Sequence, residues 1–331
     1  LNKPSKTLAS ILELIEGKKH TEANQLLLEA ARSMNTWGMS SQEKLNYLMF
    51  ASRAIQSGGG AKYGYQRVLR KVNKIKHELR FLPSLPAGGM LDLGCGTHDP
   101  LGVAAYFYLN GFEPAYCCDL SPPRNPYFSA LSMYDIMANV RAFPLRYRFR
   151  SAKISEILQR WKAFDIETFE KGDFAAGVSS AGSNLQYHVG DIREFPIAPE
   201  SLSLVASSAV FEHVDDVDGV LAWLFERTAP GGVHYHFIDL VDHRSYEAHS
   251  HYNVFSMLTE PTAPPGVNRL RASQHLEAFA KAGFEVLRVM RETAAVPPDI
   301  RARLQPPWRD LAEEDIKTMK LTLVLRRPET A

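Results

Sequence analysis

Met90-Leu91-Asp92-Leu93-Gly94-Cys95-Gly96-Thr97 is a short apolar strand that runs into a turn with two glycines, with an acid just before the turn. A second acid, Asp119, follows 27 positions after Asp92 at the end of another apolar run, Ala115-Tyr116-Cys117-Cys118-Asp119. A strand, a tight glycine turn, a helix and a strand ending in an acid make a nucleoside-binding half-fold. Glycines let the backbone approach a ligand closely, and the second acid can accept hydrogen bonds from both ribose hydroxyls.

Two kinds of nucleoside ligand compete for this turn. A dinucleotide site uses G-x-G-x-x-G, with the pyrophosphate on the N-terminus of the following helix. Here Asp99 stands where the third glycine belongs, and its charge would repel a pyrophosphate. A sulfonium cofactor has no phosphate and carries a cationic amino group, which suits Asp92 and the carbonyls of the turn. The turn alone is a weak signal, and the rest of the chain decides.

Over roughly residues 80–290 the chain resembles the class I S-adenosylmethionine-dependent methyltransferases. Leu91-Asp92-Leu93-Gly94-Cys95-Gly96-Thr97 is similar to that family's first motif, and Asp119 to its ribose-binding acid. Gly190-Asp191-Ile192 resembles the adenine-binding turn, in which an acid meets the exocyclic amine. Leu204 to Val214, reading LVASSAVFEHV, resembles the fourth strand and the start of the helix after it. Ala229-Pro230-Gly231-Gly232-Val233 resembles the turn before the fifth strand. The resemblance implies a Rossmann-like, doubly wound α/β fold with a seven-stranded sheet whose last strand is antiparallel. It also implies S-adenosyl-L-methionine as cofactor, held by Asp92, Gly94, Cys95, Gly96, Asp119, Leu120, Asp191, Ile192 and Ser208. One departure is His98, where the family usually carries glycine. His98 sits in the turn, either facing solvent or close to the methionine part of the cofactor. Asp99 is expected to cap a helix that starts at Pro100, runs over 101–110 and stops at Gly111.

With 331 residues, 45% of them apolar, the chain is one large domain or a domain with an added module. A net charge of +1 does not suggest a nucleic-acid partner. No apolar run reaches 18 residues, so no membrane span is expected. The opening Leu1-Asn2-Lys3-Pro4 lacks a secretory-signal pattern. Three cysteines, two of them adjacent, make no disulfide framework, and a cytoplasmic setting is expected. Cys95 reads as a small filler of the turn, not a nucleophile.

Residues 1–80 read as an N-terminal helical module that covers the active site or builds a homodimer, and residues 81–331 as the methyltransferase domain. Ile11, Leu12, Leu14 and Ile15 form an apolar stripe. Thr21 can cap a helix carrying Leu26, Leu27, Leu28, Ala31 and Met34, and Ser40 with Glu43 fits a capping box for a third. Gly58-Gly59-Gly60 breaks the pattern before a basic helix over 65–81, read as a solvated face or a contact for an anionic partner. Asp119 and Asp191 lie 72 positions apart, too far for a simple crossover. Residues 121–184 therefore hold an insertion, helical around 128–140 and 155–164, with a flexible run at 177–183. It is expected to help cover the pocket. The fourth and fifth strands fall at 203–207 and 233–240 with a helix at 217–228 between them. Ser273 can cap the next helix, and 284–291 and 320–326 pair as the last two strands.

Methyl transfer is an in-line displacement, so the protein must align a nucleophile and, where needed, take its proton. Ligands of open α/β sheets lie beyond the carboxyl ends of the strands. Glu212, His213, His236, Asp239, Asp242 and His243 are the candidate groups there. Five of the eleven histidines, His234, His236, His243, His249 and His251, fall within 234–251. A polar strand end of this kind should line a pocket. His243 is the first candidate for a general base, with Asp239 or Asp242 orienting it, and His213 is the second. The bland alternative is that these groups satisfy only one another and backbone amides. His236 and Asp242 are also placed against the substrate, as are Arg269 and Arg271, which suit a carboxylate or phosphate there or, equally, surface acids. His234 and His236 would share a strand face, but no tight metal-ligand spacing accompanies them, and no metal is expected.

Ser207-Ser208-Ala209-Val210 stands where a base methylase would carry (D/N)-P-P-Y. With the low net charge, this favours a small-molecule acceptor, methylated on oxygen or nitrogen. A non-catalytic cofactor-binding module is the rival reading. A nicotinamide-dependent oxidoreductase is disfavoured by Asp99.

Overall fold

The computed structural model describes residues 20–33, 65–82, 84–247 and 250–329, with positions 6, 7, 10, 11, 14, 40 and 44. The helix expected after Ser40, the triple glycine, Met34 and His249 lie outside the described residues. The elements, in chain order, begin with α1 (His20–Ser33), α2 (Tyr65–Leu79), β1 (Gly89–Leu93), α3 (Gly102–Leu109) and β2 (Ala115–Asp119). Four helices follow, α4 (Pro126–Ala142), α5 (Ile154–Trp161), α6 (Ile166–Glu170) and α7 (Phe174–Ser180). Then come β3 (Leu185–Val189), β4 (Leu202–Ser208), α8 (Val217–Arg227), β5 (Thr228–Asp239), α9 (Ala272–Lys281) and β6 (Glu285–Thr293). The chain closes with α10 (Pro298–Arg303), α11 (Glu313–Lys317) and β7 (Thr318–Arg326).

The seven strands form one sheet in the order β3-β2-β1-β4-β5-β7-β6. Strands β1 to β5 pair in parallel, and β7 runs antiparallel between β5 and β6. The strand order reverses between β1 and β4, the point where ligands of such sheets gather. This is the Rossmann-like α/β fold that the sequence implies. The turn Ala229–Gly232 does not precede β5 but forms an irregularity within it: Leu202 pairs with Thr228, and Leu204 already with Val233.

The chain divides into two compact units. One comprises residues 74–95, 111–121 and 183–331, the other 1–73, 96–110 and 122–182.

In the sheet-bearing unit, α8 presents Val217, Val220, Leu221 and Leu224, and α9 presents Phe279. All are buried in one cluster with Leu91, Val205, Ile238 and Leu323 of the sheet. Burying each such side chain stabilises the fold by roughly 1.5–3 kcal/mol. Ser273 does not cap α9. Instead the Asp315 carboxylate, from α11, accepts the Ser273 N–H at 2.8 Å and its hydroxyl at 2.7 Å. Helix α2, whose residues 65–73 belong to the other unit, carries the buried stripe Val68, Val72, Ile75 and Leu79 at helical spacing. Its basic residues do not all face solvent: Arg67 pairs with Asp99 at 3.2 Å, and Lys74 lies over the Phe237 ring.

In the other unit, α3 is buried along its whole length. Its cap position is Leu101, without a side-chain cap bond. Asp99, the expected cap, is buried and bonded to Arg67 and the Ser132 hydroxyl. Gly111 does stop the helix, with φ +98°. The insertion is helical at the expected places, but the run expected to be flexible is largely ordered as α7. Asp173 caps it by accepting the Ala176 N–H. Gly177 packs so tightly that a Cβ there would lie 2.5 Å from the Phe169 ring, which explains the glycine without invoking flexibility.

Candidate functional site

The carboxyl ends of β1 and β2 build the first half of the site. Gly94 has φ +65°, and a Cβ on it would lie 2.2 Å from Val210 Cγ2, so both conformation and space demand glycine. Gly96 has φ +86°, and the nearest atom to a Cβ on it is 3.9 Å away, so conformation and not space asks for glycine there. Cys95 is buried and donates its N–H to the Cys118 carbonyl at 3.0 Å, which pins the turn to β2. The Cys118 thiol is pushed up to about 12 by burial, with Asp119 and Asp191 adding to it, so it is no nucleophile.

Asp119 ends β2 half-buried, accepts the Ser121 N–H at 3.0 Å, and is followed by Leu120, which is 76% exposed. An acid beside an exposed aliphatic side chain suits a ribose next to an adenine face. Asp92 is buried behind the turn. Ser208 ends β4 half-buried, and Ala209 next to it has φ +58°. Ile192 is buried, while Asp191 is engaged by its neighbour. Asp191 accepts the Arg193 N–H at 2.9 Å and the guanidinium Nη2 at 2.6 Å, which holds its carboxyl below the ordinary value. An adenine amine there would share this acceptor with Arg193. The turn, the acid of β2 and the apolar residue beside it fit S-adenosylmethionine.

The ends of β4 and β5 build the second half. A short 3-10 turn, Phe211–His213, follows β4, and another, His243–Tyr246, follows β5. They bring Glu212, His213, Asp239 and His243 together. The rings of His213 and His243 lie 4.9 Å apart, centre to centre. Glu212 is only 3% exposed; one of its oxygens accepts the Asp239 N–H at 3.3 Å, and Oε2 has no partner. Burial pushes its carboxyl up to about 8, with the charge of Asp239 adding to the shift. Asp239 accepts the Tyr246 hydroxyl at 2.6 Å, while its Oδ1 is buried without a partner. The Nε2 of His243 is likewise buried without a partner. Burial and the nearby His213 hold His243 below the ordinary imidazole value, against the opposing pull of Asp239 and Asp242. The structure thus brings the candidates His243, His213 and Asp239 close to one another. Glu212, one of the candidate groups named at the strand ends but given no specific role there, stands at the centre of the cluster. Tyr246 carried no signal.

Four residues placed at the substrate stand elsewhere. His236 is fully buried, and its polarity is met inside the sheet. Its Nδ1 is 2.8 Å from the Ser207 hydroxyl, and its Nε2 is 3.1 Å from His234 Nδ1. His234 Nε2 in turn is 2.7 Å from Thr228 Oγ1, and the Thr228 hydroxyl donates to the Leu224 carbonyl. That last bond fixes the direction of the chain. His234 must donate to Thr228, His236 to His234, and Ser207 to His236, with both rings neutral. Strand β5 is polar because its histidines satisfy one another, not because it lines a pocket. No nitrogen of His234 or His236 is left over for a metal.

Asp242 is fully buried and holds Arg244 through both oxygens, at 2.9 and 2.7 Å. Arg271 is fully buried and donates to the carbonyls of Leu240, at 2.6 Å, and of Asp315, Ile316 and Thr318. Arg269 donates to the carbonyls of Met257 and Glu260 and lies over the Trp308 ring at 4.3 Å. These two arginines tie the segment before α9 to neighbouring loops instead of presenting charge to a ligand.

Residues 65–289 match the methyltransferase domain family. That is more than half of the chain, and the protein belongs to this family. It is an S-adenosylmethionine-dependent methyltransferase. A search of curated proteins finds no match. Among solved structures, an S-adenosylmethionine-dependent methyltransferase from Mesorhizobium loti is 18% identical, with 78% of this chain and 100% of that one covered and a TM-score of 0.39. Phosphoethanolamine N-methyltransferase 2 of Haemonchus contortus, in complex with S-adenosyl-L-methionine, is 15% identical over 88% of this chain and 60% of that one, with a TM-score of 0.42. No helix among the described residues is long and apolar enough to cross a membrane.

Proposed function

We propose that the acceptor is a small molecule, methylated on an oxygen or nitrogen atom beside Glu212, His213, Asp239 and His243. The observation that carries this reading is the set of buried, unpartnered polar atoms there, Glu212 Oε2, Asp239 Oδ1 and His243 Nε2. Unpartnered buried polar atoms are costly, and retaining three in one place points to a bound polar group that completes them. S-adenosylmethionine supplies a methyl group on a positively charged sulfur. The protein holds its ribose at Asp119 and brings the acceptor to the ends of β4 and β5. A neutral His243 then takes the acceptor's proton, and Asp239, fixed by Tyr246, faces the charge that develops. The lack of a (D/N)-P-P-Y run after β4 and the net charge of +1 favour a small acceptor over a nucleic acid. Cys95, Cys117 and Cys118, all buried and none in a disulfide, suit a reducing, cytoplasmic setting.

The test is formation of S-adenosylhomocysteine from S-adenosylmethionine across a panel of small hydroxyl and amine acceptors. Turnover of a panel member, with kcat at least 100-fold lower in His243→Asn and unchanged cofactor affinity, is the expected result. Turnover of RNA, DNA or protein substrates with none of the panel would overturn the proposal.

A further inference from the structure

We propose that Glu212, His213 and His243 bind one divalent transition-metal ion, which takes the acceptor as an additional ligand. One ligand atom from each of the three lies within 4.8 Å of the others. Two imidazoles and one carboxylate with positions to spare is a donor set used by zinc and by other first-row divalent ions. Completed sites hold their ligands at roughly 2.0–2.2 Å from the metal, so closing this one requires only small side-chain movements.

The atoms around the cluster support a ligand set more specifically than proximity does. His213 Nδ1 lies against the Gly266 carbonyl, which can only accept, so Nδ1 carries the proton and Nε2 presents a lone pair. A ring oriented by a backbone carbonyl in this way is the usual outer support of a metal-bound histidine. His243 Nε2 is buried without a partner. Glu212 is 3% exposed, is held through its other oxygen by the Asp239 N–H, and leaves Oε2 without a partner. Each of the three residues therefore has one positioned and uncommitted donor atom. His234 and His236, the more obvious pair in the sequence, have none.

Two neutral imidazoles and one carboxylate leave a divalent ion with one net positive charge. Such a centre favours an acceptor oxygen that ionises on binding. The class of acceptor it selects is a hydroxyl compound, whose O–H proton passes to water while the oxygen lone pair binds the metal. This rests on the methyl-acceptor reading of the site, and it replaces the base role of His243 with a ligand role whenever the ion is bound.

The test uses the full chain, stripped with EDTA and titrated with cobalt(II) chloride, with visible absorption as the readout. S-adenosylmethionine affinity is measured by calorimetry on the same samples. One equivalent of cobalt should bind with the absorption of a four- or five-coordinate centre and be displaced by zinc. His213→Ala and His243→Ala should each weaken it by at least 10-fold, and exposed His77→Ala should leave it unchanged. Both ligand histidines are at least partly exposed, and circular dichroism checks that the variants fold. No stoichiometric binding, or equal binding by the His213→Ala/His243→Ala double variant, overturns the metal site while intact cofactor binding leaves the methyltransferase reading standing. Loss of cofactor binding by the parent chain would strike that reading instead.

Discussion

Moving a urea titration from pH 7.5 to pH 5 should cost the protein much of its stability, and replacing His275 by leucine should remove a definable part of that loss. His275 lies on α9, fully buried beside Arg271, and neither of its ring nitrogens has a partner. Burial, helped by the Arg271 charge, lowers it from an ordinary 6.5 to about 4. Burial likewise lowers His234 to about 3, and His236 well below the ordinary range, with His234 and His275 contributing. The folded rings stay neutral where unfolded imidazoles already take up protons. Stability is therefore complete above 6.5 and falls as pH drops towards the folded values. Between pH 7.5 and 5 His275 and His234 each withdraw about 2 kcal/mol, roughly 4 kcal/mol together, and His236 adds to the loss in the same direction. His275→Leu removes one of the three. At pH 7.5 it should change stability by about 1 kcal/mol at most, because no hydrogen bond is lost and the volume is similar. The loss on moving to pH 5 should shrink by about 2 kcal/mol relative to the parent. Carboxylates titrating in the same range are common to both proteins and cancel in the comparison. An equal loss of stability in variant and parent would show that His275 meets water or a charge partner in the folded protein.

Gly94→Ala should cost about 1–3 kcal/mol in urea unfolding, from the 2.2 Å approach to Val210 and the positive φ together. Adding Val210→Ala should recover the steric part, and no recovery would assign the whole cost to the backbone. Glu212, raised from an ordinary 4.5 to about 8, stabilises fully below 4.5 and loses that contribution as pH rises through 8. In EDTA, the stability of Glu212→Gln relative to the parent should therefore improve by about 4 kcal/mol from pH 5 to pH 9; a flat difference would place the carboxylate in water. Arg271→Met should lower stability by about 3 kcal/mol or more, since it strips the donor from several buried carbonyls. A melting temperature within a degree or so of the parent would contradict that assignment.

The sheet was legible because its strands carry short apolar runs set off by glycine and proline turns, and because Asp92, Gly94, Gly96 and Asp119 stand at fixed places on it. The insertion was legible only as a length, since the 72 positions from Asp119 to Asp191 exceed one crossover. Its last helix was hidden by Gly177, which is small to admit the Phe169 ring and not to loosen the chain. Caps were misplaced where a partner distant in sequence intervened: Asp99 goes to Arg67 and Ser132, and α9 is capped by Asp315. At the site, sequence grouped all polar residues of 234–243 together, because it cannot show which side chains complete each other within the sheet. His234 and His236 pair with Thr228 and Ser207 and withdraw from the surface. His243, only a few residues on, lies past the strand end and keeps its Nε2 without a partner. Arg271 shows the same ambiguity: a guanidinium that would suit an anionic substrate serves equally well to bind backbone carbonyls in the interior.

Calorimetric titration with S-adenosylmethionine, on the parent chain and on Asp119→Ala, tests the central claim most directly. The parent should bind one cofactor per chain. The variant, deprived of the charged acceptor for the ribose hydroxyls, should bind roughly 10- to 100-fold more weakly, the equivalent of about 1.5–3 kcal/mol. A parent chain that binds none, or a variant that binds equally well, would contradict the account.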